Sequence, residues 1–198
     1  MIVNGEKSVR AFLAIEPPAE ILKEIGKIQS RLKEACPFDV RWVKPEAMHL
    51  TLKFFGNVSK EEIIGISRVV EKHTAAFAPL QLEVRKLGLF PSLRRPKVLW
   101  IGLEGDITSL LVLHNKLEQG FEECGYAKEG RSLQPHLTLG RIKTPKCSGS
   151  PEQFLRDGGG CEAGSFLAGG LELIKSDLTP RGAVYTRLAW FPFSAKEI

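Results

Sequence analysis

The chain has 198 residues, 43% hydrophobic and 26% charged, and its 28 Lys and Arg outnumber 23 Asp and Glu for a formal net charge of +5. This is ordinary globular composition, which bounds the chain to one domain or two tightly joined lobes; no apolar run approaches the ~20 residues of a membrane helix, and the polar start MIVNGEKSVR is not expected to be a secretory signal. The positive balance mildly favours a polyanionic partner, and four cysteines without a C-x-x-C pair fit a reduced, cytoplasmic setting, although Cys147 and Cys161 could in principle be bridged.

In chain order, Ser8 to Ile15 reads as a buried strand. Pro17-Pro18 opens a helix with Ile21, Ile25, Ile28 and Leu32 on one face. Arg41-Trp42-Val43 is a short extended piece, and after Pro45 a strand carries HLTL and is expected to end at Gly56-Asn57. Ser59 and Glu62 have capping-box spacing before a helix with Ile63, Ile66, Val69 and Val70. Two strands are expected over Leu80–Leu89 and Lys97–Leu103, joined by the basic loop Phe90–Pro96. Asp106 can cap a third helix with Leu110, Leu113, Leu117 and Phe121 inward, closed by Gly125. A second HLTL strand follows. Thr144–Gly170 is expected to be loop-rich, with a short helix near Pro151–Arg156, before two last strands at Leu171–Ile174 and Ala183–Trp190. Helices are too few for a doubly wound sheet, so the fold class expected is α+β with antiparallel sheets, in two similar lobes.

The stretch His49-Leu50-Thr51-Leu52 recurs as His136-Leu137-Thr138-Leu139, in a chain with only four histidines. Two half-buried strands would explain either copy alone. A packing role, however, calls for neither His nor Thr at both places. Residues two apart share one face of a strand. His49 and Thr51 should therefore project together, as should His136 and Thr138, while Leu50, Leu52, Phe54, Leu137 and Leu139 turn inward. Facing lobes would set the two pairs across one cleft. Two imidazoles with ordinary pKa near ~6.5 can act as base and acid. Two hydroxyls can donate to the non-bridging oxygens of a phosphate. That set suits phosphoester cleavage and requires no metal or cofactor. His73 and His114 stand isolated on helices and read as structural.

With these motifs the sequence resembles the two-histidine (2H) phosphoesterases, defined by paired His-x-Thr-x motifs, and within them the RNA 2′,3′-cyclic phosphodiesterases once described as 2′-5′ RNA ligases. The likeness runs through RAFLAIEPP, VRWVKPEAMHLTLKFFGNV, FPSLRRPKVLWIGL, PHLTLGRI and SDLTPRGAVYTRL. It implies a single bilobal α+β unit over residues 1–198, with a basic V-shaped cleft carrying one motif on each lobe. It also implies hydrolysis of a terminal 2′,3′-cyclic phosphate to a 2′-phosphate, with reversible 2′-5′ joining of RNA ends as a further activity. The expected partner is RNA with such ends, tRNA fragments among them, with no cofactor, metal, membrane or obligate protein partner. Carried over by motif, His49 is the proton donor to the departing 3′ oxygen and His136 the acceptor that activates water. Thr51 and Thr138 hold the phosphate.

Around this core, Arg141 suits a phosphate, but simple alternation puts it on the Leu137 face unless a bulge near Gly140 redirects it. Arg94, Arg95 and Lys97 could meet an RNA backbone or form a solvated loop. Phe55 shares parity with His49 and could stack on a base or pack at the rim. The segment Cys147–Gly164 matches the family least and reads as a flap or a tolerated insertion. Two other readings remain open: a 2H enzyme for a small cyclic phosphate of a nucleotide or ADP-ribose, and an RNA-end binding protein without turnover. Intact histidines and threonines at both motifs count against the second.

Overall fold

The computed structural model describes residues 8–144, 149–180 and 182–194. Two antiparallel sheets organise them. The first has the order β3-β1-β8-β9, from β1 (Val9–Ile15), β3 (Leu50–Val58), β8 (Gly170–Thr179) and β9 (Gly182–Pro192). The second has the order β2-β6-β5-β4-β7, from β2 (Val40–Trp42), β4 (Leu80–Phe90), β5 (Val98–Gly105), β6 (His136–Ile142) and β7 (Glu162–Ala168). Helices α1 (Ala19–Ala35), α2 (Lys60–Thr74), α3 (Ile107–Glu123) and α4 (Pro151–Asp157) complete the α+β architecture. No helix among the described residues is long and apolar enough to cross a membrane.

The helices exchange lobes. Helix α1 leaves β1 of the first sheet and packs on β7 of the second. Its inward face is the expected set Ile21, Ile25, Ile28 and Leu32, with Gln29 buried beside them. Helix α3 leaves β5 of the second sheet and packs against α2, and its Phe121 meets Phe55 of β3 in the first. Leu110, Leu113, Leu117 and Phe121 are fully buried, as their spacing predicts. One apolar cluster therefore runs through both lobes, joining Leu13, Leu50 and Leu173 to Leu99, Leu137 and Leu139.

Local chemistry fixes most boundaries. Ser59 and Glu62 form the reciprocal capping box that starts α2. Gly125 takes φ 88° after α3. Asp106 precedes α3 as expected, yet its carboxylate accepts from the Gln81 amide at 2.8 Å and caps nothing. Two expectations fail. The first HLTL strand continues through Gly56, at φ 74°, to Val58. The loop-rich region contains β7, which pairs with β4 at the sheet edge. Its AGSF stretch is too small and polar to announce a strand; pairing with β4 supplies what propensity lacks. Cys147 lies outside the described residues.

Candidate active site

Both motifs sit on the sheet faces turned away from the helices. His49 lies one residue before β3, and His136 opens β6. In each copy the two leucines are buried while His and Thr remain half-buried on the other face. The expected pairing of imidazole and hydroxyl therefore holds in both lobes. Each ring is also anchored alike. His49 Nδ1 lies 3.1 Å from the Ala47 carbonyl, and His136 Nδ1 lies 2.7 Å from the Gln134 carbonyl, two residues back in both cases. A carbonyl can only accept, so Nδ1 must carry a proton and Nε2 is the atom that exchanges one. Among the described residues Nε2 of neither ring, nor the hydroxyl of Thr51 or Thr138, has a hydrogen-bond partner.

The fourth residue of each motif is a bulge. In β3, Ala14 pairs with Thr51 and Leu13 with Lys53, leaving Leu52 extra. In β6, Trp100 pairs with Thr138 and Leu99 with Gly140, leaving Leu139 extra. A bulge reverses the inside-outside alternation downstream. Lys53 and Gly140 consequently point into the core, and the residues after them, Phe54 and Arg141, return to the face of the motif. The condition for Arg141 is thus met. It is exposed, and its charge bears on His136. The same device corrects two expectations. Phe54 is not in the core but 55% exposed, 5.6 Å from the Phe12 ring. Phe55 leaves the His49 face and packs edge-on against Phe121 and Tyr126, at 4.9 and 5.2 Å.

The lobes surround their histidines with aromatic rings. Phe12 stacks on His49 at 4.6 Å and Tyr185 meets its edge at 5.2 Å. Phe90 meets His136 edge-on at 4.9 Å, with Trp100 at 6.1 Å. Burial among such rings penalises the imidazolium, lowering His49 to about 4 and His136 below its usual range; the Arg141 charge lowers His136 further. Arg94, Arg95 and Lys97 are exposed on the loop that follows Phe90.

Four neighbours escaped the sequence reading: Phe12, Phe54, Tyr185, and Arg187 with its carboxylates. Arg187 bonds buried Glu172 through two nitrogens at 2.6 and 2.9 Å and lies 3.8 Å from Glu16. Burial and the neighbouring Glu172 raise the Glu16 pKa. Phe12 and Ala14 share the parity opposite Leu13, a signal legible in β1; the Glu172–Arg187 pair spans two strands and leaves none. His73 lies on α2 and His114 on α3, both distant from the motifs in sequence, but His114 Nε2 comes within 3.2 Å of the Leu52 carbonyl in the first motif. Among the described residues no three His, Cys, Asp or Glu side chains are grouped to hold a metal ion.

The sequence profile of the LigT-like phosphoesterases matches residues 15–100. An RNA 2′,3′-cyclic phosphodiesterase of Methanothermobacter thermautotrophicus is 34% identical over 183 residues, 92% of this chain and 98% of that protein. The crystal structure of TT0787 from Thermus thermophilus superposes with a TM-score of 0.77 at 26% identity, over 95% of this chain and all of that one. That of E. coli LigT in its apo form gives 0.73 at 26% identity, over 94% and 98%.

Proposed function

The chain belongs to the LigT-like phosphoesterase family, and from that premise we propose that it hydrolyses RNA 2′,3′-cyclic phosphodiester ends to 2′-phosphomonoesters, in the cytoplasm, as one two-lobed unit. The observation that carries the reading is the duplicated unit itself. Each lobe offers an imidazole anchored through Nδ1, a hydroxyl with no partner among the described residues, and a bulge that brings a further side chain to the same face.

The two faces act as walls of one cleft. Water attacks phosphorus while His136 Nε2 takes its proton. His49 Nε2–H gives a proton to the departing 3′ oxygen. Both roles need Nδ1 protonated, and the carbonyls of Ala47 and Gln134 secure that in either charge state. Thr51, Thr138 and Arg141 hold the non-bridging oxygens, whose charge grows as the ester bond opens. In the free enzyme few His49 rings carry the acid's proton at neutral pH, since burial holds its pKa at about 4. An anionic phosphate beside the ring favours the imidazolium and loads the acid as substrate binds. After turnover His136 is protonated and His49 neutral, and exchange with water resets them. In 2′-5′ joining a 5′ hydroxyl takes the place of water: His136 Nε2 accepts its proton and His49 Nε2–H again protonates the departing 3′ oxygen, and only the return cleavage of the 2′-5′ bond exchanges the two roles.

The test is an oligonucleotide ending in a 2′,3′-cyclic phosphate, incubated with and without a chelator. The expected product keeps phosphate on the 2′ hydroxyl, at equal rates in both. A 3′-phosphate product, or activity that only a divalent ion restores, contradicts the scheme. Added upstream nucleotides should raise kcat/KM; a flat response points to a small cyclic nucleotide instead.

A further inference from the structure

Two buried polar side chains have no part in this mechanism, and both end at the same place in the motifs. Gln29 of α1 is 3% exposed, and its Nε2 donates to the carbonyl of Leu139 at 3.0 Å and to that of Val43 at 2.7 Å. His114 of α3 is 6% exposed, with Nε2 3.2 Å from the carbonyl of Leu52. Leu52 and Leu139 are the bulged fourth residues of the two HLTL copies. Each donor therefore comes from the helix that leaves one sheet and reaches the bulge of the other.

A bulge is a local choice. Without it, strict alternation would turn Lys53 and Gly140 toward the motif face and drive Phe54 and Arg141 into the core. Leu52 lies on β3, the edge strand of the first sheet, which among the described residues has no strand on its outer side. His114 supplies the donor there. In the second lobe the Leu139 carbonyl already accepts from the Val43 amide at 2.9 Å, and Gln29 adds a second donor that also ties down Val43. A buried carbonyl left short of a donor keeps an uncompensated desolvation penalty, enough to shift a choice between two registers.

Resting on the functional reading above, we propose that Gln29 and His114 are positioning residues that lock the two bulges. Through them each lobe fixes which side chain follows the motif into the cleft: Phe54 in the first, Arg141 in the second. The crossed helices make this reciprocal. The strand-to-helix run of one lobe holds the active-site register of the other.

The experiment uses Gln29→Met and His114→Met, which keep bulk and delete the donor, and the exchanges Gln29→His and His114→Gln, which restore one. Where a methionine variant fails to fold, Gln29→Asn and His114→Asn replace it, their amides being too short to reach. Measured well below the thermal midpoint, the donor-deleted variants should lose about 10- to 100-fold in kcat, the scale of a slight misplacement. KM should move much less, and the exchanges should recover most of the loss. Gln29→Met combined with Arg141→Ala should be little worse than Arg141→Ala alone, because Gln29 acts through Arg141. In an NMR titration of the imidazoles, Gln29→Met should displace the His136 midpoint and leave that of His49 in place, and His114→Met the converse. Lowered thermal midpoints with wild-type kcat and unmoved imidazole titrations would reduce both residues to fold stabilisers and overturn the proposal. If the wild type does not open the cyclic phosphate at all, the functional reading fails, and the NMR titration alone decides the lock.

Discussion

The two lobes carry one tetrapeptide in nearly one geometry, and they differ in what stands around it. Each has the Nδ1 anchor two residues back, the buried leucines and the bulge at the fourth residue. The fifth residue separates them. In the first lobe it is Lys53, 4% exposed, 2.9 Å from Glu118 of α3 and donating to the Ala127 carbonyl at 2.6 Å. In the second it is Gly140, where a Cβ would collide with Val40 of the neighbouring β2. The sixth residue separates them again: Phe54 is aromatic and Arg141 cationic. Aromatic rings flank both histidines, and at the sixth position one lobe adds a further ring and the other a cation. In the mechanism proposed above, the shared part supplies proton transfer and the two hydroxyls that meet the phosphate, and the differing part adds an aromatic ring on one side and a cation on the other.

The largest test of this comparison removes the shared part. His49→Ala and His136→Ala should each cost about 10²- to 10⁴-fold in kcat while the protein stays folded. The double variant should lose less than the product of the two, as expected for groups that act together. Two independent losses that multiply would make the lobes separate sites.

Next comes the fifth residue. Lys53→Met leaves Glu118 buried without its cation, and breaking such a pair costs about 3–5 kcal/mol. Denaturant titration should show that loss. A change under about 1 kcal/mol would mean that the ion pair does not distinguish the lobes.

The hydroxyls should behave as equals. Thr51→Ala and Thr138→Ala should each lose about 1–3 kcal/mol of transition-state stabilisation, the value of a hydrogen bond to a charged group. Strongly unequal losses in kcat/KM would show that only one lobe grips the phosphate.

The pH profile reads the two imidazoles directly. Both are held below the usual 6.5, His49 at about 4. Above the higher of the two values the protonated ring is lost, and below the lower the free base is lost. In the free enzyme kcat/KM should therefore peak on the acid side of about pH 6.5 and fall toward alkaline pH. The kcat profile, set by the phosphate-bound state, should lie at higher pH. A kcat/KM optimum above about 7 would contradict the burial assigned to both rings.

The smallest effect concerns the sixth residue and its neighbour. Phe54→Ala should weaken RNA binding by about 1–3 kcal/mol, the range for a stacked base, with the thermal midpoint unchanged. Phe55→Ala should do the reverse, because its ring packs on Phe121 and Tyr126. The opposite pattern would return both residues to simple alternation.

By itself the sequence determined the local elements and the chemistry. The apolar stripes of α1 and α3, the Ser59–Glu62 box, and the His-Thr pairing on strands all depend on spacing within a few residues. Fold class followed from the same short-range signals, and the family from the resemblance carried by the paired motifs and their flanking phrases. Tertiary structure decided the rest. A bulge is set by what the strand pairs with and by what meets its orphaned carbonyl. Phe54 and Phe55 therefore exchanged faces under the influence of β1 and His114, neither of which adjoins them in the chain. β7 exists only because β4 offers it an edge. Arg141 reached the His136 face through a residue inserted opposite β5. Periodicity can place a side chain only while the register runs unbroken, and at this site both strands break it immediately after the residues that carry the chemistry.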